Sequence, residues 1–124
     1  MITARNAYMG SMVQTASPAR LLVMLYDRLV VDLQRAAECQ EQDLHIDASE
    51  HLMHAQEIVL ELQGSLRVDL WDGGPRLSAI YGWLHKEMVR ANVQRDVAAT
   101  RSCLELVLPL ADAWREAALA DVAS

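Results

Sequence analysis

An all-α protein, folded as an up-down-up-down antiparallel four-helix bundle, is what this sequence predicts. Three observations carry the prediction. Four segments place apolar residues at three- and four-residue steps, the signature of one buried helix face. Three short joints separate them, and short joints make consecutive helices antiparallel neighbours. Apolar residues make up 52% of the chain without one phenylalanine, so Leu, Val, Ala and Met must fill the core, as suits helix packing. No alternating strand pattern and no repeat period interrupts this reading. At 124 residues the chain makes one domain with one core: a segment 1–16, a bundle 17–119 and a fraying tail 120–124.

Residues 1–16 are weakly patterned, with Tyr8, Met9, Met12 and Val13 as apolar islands among polar residues. Such a segment is either a frayed terminus or a strip that lies across a hydrophobic groove. Ser17-Pro18 then starts the first helix. A serine oxygen accepts an early backbone N–H, and proline in the first turn gives up no needed donor. From Pro18 to about Gln40, Leu22, Leu25, Tyr26, Leu29, Leu33 and Ala36 share a face. Leu21, Val23, Met24, Val30 and Val31 lie off it, so the helix is apolar over more than one seam requires.

The second helix is expected from an N-cap at Asp43 to Ser65. Its core face is Ala48, Leu52, Ala55, Val59, Leu62 and Leu66, with Met53 and Leu60 set apart. Asp72-Gly73-Gly74-Pro75 stops the pattern, because glycine weakens helices and proline opens the next one. Trp71 beside this loop reads as a plug for the bundle end. The third helix, Pro75 to Val93, buries Leu77, Ile80, Tyr81, Leu84, Met88 and Ala91, leaving Trp83 and Val89 elsewhere. Asp96 caps the fourth, Val97 to Leu119, whose expected core side is Val97, Leu104, Val107, Leu108, Ala111, Trp114 and Ala118. Leu106 and Leu110 fall off that side, and Pro109 predicts a kink.

The totals exclude several functions. A net charge of −6 with scattered Arg and Lys argues against nucleic acid and against a basic membrane-surface helix. No apolar run is long enough to span a bilayer and the first residues lack a signal-peptide core, so a cytoplasmic protein is expected. Cys39 and Cys103 match no metal-ligand spacing and read as free thiols, with a disulfide between them as the alternative.

Histidines supply the candidate chemistry. His51 and His54 sit three apart with His45 and Glu50 nearby. A bundle metal site needs Glu-x-x-His pairs on two helices, and no second pair exists. No metal, cofactor or catalytic residue is therefore assigned, and these histidines read as solvated or rim residues. His85 raises a histidine phosphotransfer or other signalling bundle as the alternative function. Lys86, adjacent in sequence, points away from its neighbour's face, which weakens that reading. No phosphate loop or nucleophile elbow is present, so the chain is not expected to be an enzyme.

The surplus apolar residues point to binding instead. Leu21, Met24 and Val31 on the first helix and Met53 and Leu60 on the second are set to line grooves for an amphipathic partner. The alternative is a homodimer interface. Asp27, among apolar neighbours, is either a polar-edge residue or an acceptor for a partner's backbone or arginine.

These residues carry a resemblance as well. Val13-Gln14-Thr15-Ala16-Ser17-Pro18, followed by Leu21-Leu22-Val23-Met24-Leu25-Tyr26-Asp27, resembles the opening signature of the FliS family of flagellar export chaperones. Ala55-Gln56-Glu57-Ile58-Val59, Gly73-Gly74, Tyr81, Leu84, Ala91-Asn92, Asp96 and Trp114 continue it in order. Arg28-Leu29, Leu70-Trp71 and Pro109 depart from the family pattern. The resemblance implies a bundle whose N-terminal segment caps it, with Tyr8 and Val13 at matching positions. It implies a cytosolic chaperone for flagellar type III export that holds the disordered C-terminal region of flagellin and prevents premature polymerisation. The implied partner-binding residues are Tyr8, Val13, Leu21, Met24, Leu25, Asp27, Val31, Met53, Gln56, Leu60 and Asn92. Other flagellar regulators or export components are further implied partners, with a homodimer in the client-free state.

Overall fold

The computed structural model describes residues 18–70 and 72–123. The N-terminal segment with Tyr8 and Val13, the Ser17 cap and Trp71 lie outside them. Among the described residues the chain forms α1 (Pro18–Glu41), α2 (His45–Ser65), α3 (Gly74–Val93) and α4 (Val97–Ala123), with a 3-10 turn at Val68–Leu70. The expected frayed tail from 120 is corrected: α4 continues to Ala123. Its alanine-rich end, Ala117-Ala118-Leu119-Ala120, has high intrinsic helix propensity.

Each helix packs on its sequence neighbours, and α1 closes the ring against α4. Helices α1 and α3 therefore face each other across the centre, where the Tyr26 and Tyr81 hydroxyls meet at 2.5 Å. One end of the bundle gathers the end of α1, the start of α2, the end of α3 and the start of α4. Gln40 Nε2 donates to the Ala91 carbonyl at 3.1 Å, Thr100 Oγ1 donates to Gln40 Oε1 at 2.6 Å, and Asn92 Nδ2 donates to Ser49 Oγ at 3.1 Å. At the other end Gln63 Nε2 donates to the Ser78 carbonyl at 3.3 Å. These contacts establish the antiparallel, up-down-up-down course.

Hydrophobic periodicity located the core of three helices. Leu22, Tyr26, Leu29, Leu33 and Ala36 are buried on α1, and so are all six expected residues of α2. On α3, Leu77, Tyr81, Leu84, Met88 and Ala91 are buried while Ile80 packs half-buried against them. Leu25 is likewise half-buried. Helix α4 differs: it buries Ala99, Thr100, Cys103, Val107, Ala111 and Trp114. Leu108 is exposed and Val97 and Ala118 are half-buried, whereas Leu104, Leu106 and Leu110 are half-buried against the core. Large aliphatic residues surround α4, so hydropathy alone does not select its inner face. Small residues face inward there and let the helices approach. Pro109 is exposed, and α4 runs on past it.

The joints carry a second correction. Asp43 is not the cap of α2; it adopts a left-handed φ of 60° at the end of α1. Leu44 N–H bonds the Cys39 carbonyl at 2.8 Å and Asp43 N–H the Gln40 carbonyl at 3.2 Å, a Schellman closure. Leu44 then precedes α2 without a side-chain cap. Helix α3 ends the same way, with Arg95 at φ 53° and Asp96 N–H on the Ala91 carbonyl at 2.9 Å. Asp96 does cap α4, its Oδ1 accepting Ala99 N–H at 3.2 Å. That bond, with the Arg90 guanidinium, holds the Asp96 carboxyl below its ordinary range. Where α2 hands over to α3, a Cβ on Gly74 would stand 2.5 Å from the Val68 carbonyl oxygen, so only glycine fits that crossing.

Candidate functional site: the seam between α2 and α3

On α2, Ser49, Met53, Gln56, Leu60 and Gln63 follow one another at four- and three-residue steps. On α3, Ser78, Gly82, His85, Val89 and Asn92 do the same. The two rows run antiparallel, because Ser49 bonds Asn92 at one end and Gln63 bonds the Ser78 carbonyl at the other. Between these anchors lie Met53, Gln56 and Leu60 on α2 and Gly82, His85 and Val89 on α3. Met53 is 55% exposed and Leu60 50%, and Val89 is exposed too. Gly82 presents no side chain, and a Cβ there would find only Gln63 Nε2 at 3.7 Å. Its upper mouth widens into a depression of about 400 Å³ lined by Ile46, Ser49, Asn92, Val93 and Arg95 among others. The result is a seam, here called the trough, whose exposed Met53, Leu60 and Val89 alternate with Gln56 and His85 between a polar hydrogen-bonded pair at either end.

The expected binding residues fall into two groups. Met53, Gln56, Leu60 and Asn92 come together along this trough. Leu21, Met24, Leu25, Asp27 and Val31 belong to α1, which faces α3 from across the core. On α1 only Met24 is a large apolar residue in the open, at 56% exposure. Leu21 and Val31 are half-buried rather than free, Leu21 packing on the core. Asp27 finds its arginine within the chain: Arg115 of α4 pairs with it and with Asp112 at 2.9 Å.

The histidines surround a group that periodicity passes over. Asp32, wholly buried on α1, takes Arg28 Nε at 3.2 Å and His54 Nδ1, with His51 Nδ1 at 3.9 Å. A buried carboxylate needs such partners, since desolvating an unpaired charge is costly. His54 is exposed and His51 half-buried, so both stand at the rim of this cluster. His85 is half-buried in the α2/α3 seam. Among the described residues no group of three His, Cys, Asp or Glu side chains is placed to hold a metal ion. Cys39 and Cys103 are free thiols. Burial pushes the Cys103 thiol up to about 12 and the Tyr26 hydroxyl up to about 12. No described helix is long and apolar enough to cross a membrane.

Reading the sequence alone overlooked Val89, Gly82, Gln40, Thr100 and Asp32. The first two repeat the four-three spacing of the α2 row and were legible in principle. The other three are polar, and their partners come from other helices.

Comparison with known proteins places this geometry in context. The family described as flagellar protein FliS matches residues 1–121. The chain is 30% identical over 112 residues to the flagellar secretion chaperone FliS of Bacillus subtilis (strain 168), covering 90% of this chain and 84% of that protein. It is 29% identical over 114 residues to the flagellar secretion chaperone FliS of Escherichia coli (strain K12), covering 88% and 82%. A crystal structure of a bacterial flagellar chaperone superposes with a TM-score of 0.74 at 23% identity, over 89% of this chain and 90% of the other, and so shares the fold.

Proposed function

Because this chain belongs to the FliS family of flagellar proteins, we propose that it is a cytoplasmic flagellar secretion chaperone for flagellin. It holds flagellin's disordered C-terminal segment, prevents premature polymerisation and keeps the chain competent for type III export. The observation that carries this reading is the trough between α2 and α3, along which Met53, Leu60 and Val89 are exposed.

An amphipathic turn of the client lays its apolar side chains on Met53 and Leu60, and methionine repacks readily around different shapes. Gln56 and Asn92 supply hydrogen bonds to the client backbone at the edges. Ordering a disordered client costs about 2–5 kcal/mol, offset by burying roughly 1,000–3,000 Å². The trough alone is too short for that area. The client therefore continues onto α1, where Met24, with Leu21, Leu25 and Val31 around it, offers a second apolar track. Nothing in this role calls for catalysis.

Changing Met53→Ser and Leu60→Ser together tests the reading. Both side chains are half-exposed, so stability should move by no more than about 0.5 kcal/mol each. Affinity for flagellin, measured by calorimetric titration, should fall about thirtyfold or more. Wild-type affinity in this variant, or undiminished binding of flagellin lacking its C-terminal segment, overturns the proposal.

A further inference from the structure

We propose that Gln40, buried at the far end of α1, is a positioning residue for the client trough; the proposal rests on that trough being the client site. Gln40 is 7% exposed, and its side chain bonds the Ala91 carbonyl rather than any residue of the trough rows. Its carboxamide is used at both ends. Oε1 accepts from Thr100 Oγ1 at 2.6 Å, and Nε2 donates to the Ala91 carbonyl at 3.1 Å. The same carbonyl accepts Asp96 N–H at 2.9 Å, the bond that closes the last turn of α3. The next residue, Asn92, reaches across the trough to Ser49 at 3.1 Å.

One line of hydrogen bonds therefore runs from α4 through α1 and α3 to α2. Through it Gln40 ties the last turn of α3, which carries Asn92 and the exposed Val93, to the helix diagonally opposite. That turn forms one wall of the trough's upper mouth. A carbonyl with both lone pairs engaged is held in place from two directions. Gln40 and Thr100 are buried polar groups, so losing either partner leaves the other's polar atom short of a hydrogen bond. Holding Asn92 in position before the client arrives removes an ordering cost from binding.

The test uses the full chain and the C-terminal segment of flagellin from the same organism. Gln40→Met and Thr100→Val keep shape and break the line; Thr100→Ser keeps the hydroxyl. Gln40→Met and Thr100→Val should each weaken client binding roughly three- to tenfold, with Thr100→Ser close to wild type. The Asn92 side-chain amide resonance should shift in the first two variants and not in the third. Val107→Ala, a core truncation away from the mouth, lowers stability and should leave affinity unchanged. The inference is overturned if Gln40→Met and Thr100→Val bind as tightly as wild type, or lose no more than Val107→Ala does. Should they bind normally while the Met53/Leu60 variant does not, only the role of Gln40 falls. Normal binding by all of them removes the trough itself.

Discussion

The α1/α4 seam and the α2/α3 seam join helices in the same antiparallel way, yet one is sealed and the other left open. Across the first, Arg115 pairs with Asp27 and Arg101 with Glu41, and Thr100 bonds Gln40 beneath the surface. Tyr26 and Trp114 stack below, their ring centroids 6.4 Å apart. Long arginine stems lie along such a seam and cover apolar surface while their charged heads stay wet. The second seam is bridged by neutral hydrogen bonds at its ends, with Met53, Leu60 and Val89 exposed between them. The difference teaches that the chain's own ion pairs cross one seam of the bundle, while the other seam leaves its apolar side chains uncovered. The closed side spends its surface on its own chain. The open side keeps apolar surface available, as an export chaperone requires.

The largest test of that division is Trp114→Ala. Removing a buried aromatic from the closed side should cost about 3–5 kcal/mol in denaturant unfolding, while the α2/α3 trough keeps its shape. A loss under about 1 kcal/mol would mean that the closed side does not carry the stability assigned to it.

Alkaline titration comes next. Burial raises the Cys103 thiol from 9.0 to about 12 and the Tyr26 hydroxyl from 10.0 to about 12. Both groups keep their protons in the folded state where the unfolded chain releases them, so the unfolded state binds fewer protons. Stability is therefore unaffected by them below pH 9 and falls as pH rises from 9 to 12, by at most about 1.4 kcal/mol per pH unit for each group. Both residues sit on α1 or α4. Cys39 is raised above 9.0 as well, so Cys103→Ala should make the fall from pH 9 upward shallower rather than move its start; an unchanged slope would contradict the burial of the Cys103 thiol.

The smallest effect probes the open side. Gly82 lies inside α3 with room for a Cβ, so Gly82→Ala should stabilise the fold by about 0.5–1 kcal/mol through helix propensity. The added methyl also meets Gln63 in the trough, so flagellin affinity should drop slightly as the melting temperature rises. A variant both more stable and tighter-binding would show that Gly82 has no part in keeping the seam open.

Much of this was legible beforehand. Helix number, antiparallel order and the inner faces of α1, α2 and α3 follow from apolar spacing, and so does the place of Met53 and Leu60 off the core face; that these two are exposed while Leu21 and Val31 are half-buried was decided by the packing. The family signature was legible in the run from Val13 to Asp27. Helix α4 was legible only in part: Val107, Ala111 and Trp114 are buried as expected, but Leu104, Leu106, Leu108 and Leu110 surround the helix, and the inward-facing Ala99, Thr100 and Cys103 are too small to mark its inner face. Asp43 looked like a cap and is a left-handed terminator instead, since aspartate serves both ends of a turn.

The sequence by itself determined what repeats within one or two helical turns: where helices run, which side of most of them is apolar, and which residues exceed the needs of a core. Tertiary structure alone decided the fate of the polar residues. Asp32, Gln40 and Thr100 are buried because partners 22, 51 and 60 positions away in the chain meet them across helix boundaries. Periodicity reports on three or four residues at a time, and a hydrogen bond between distant helices leaves no trace in it.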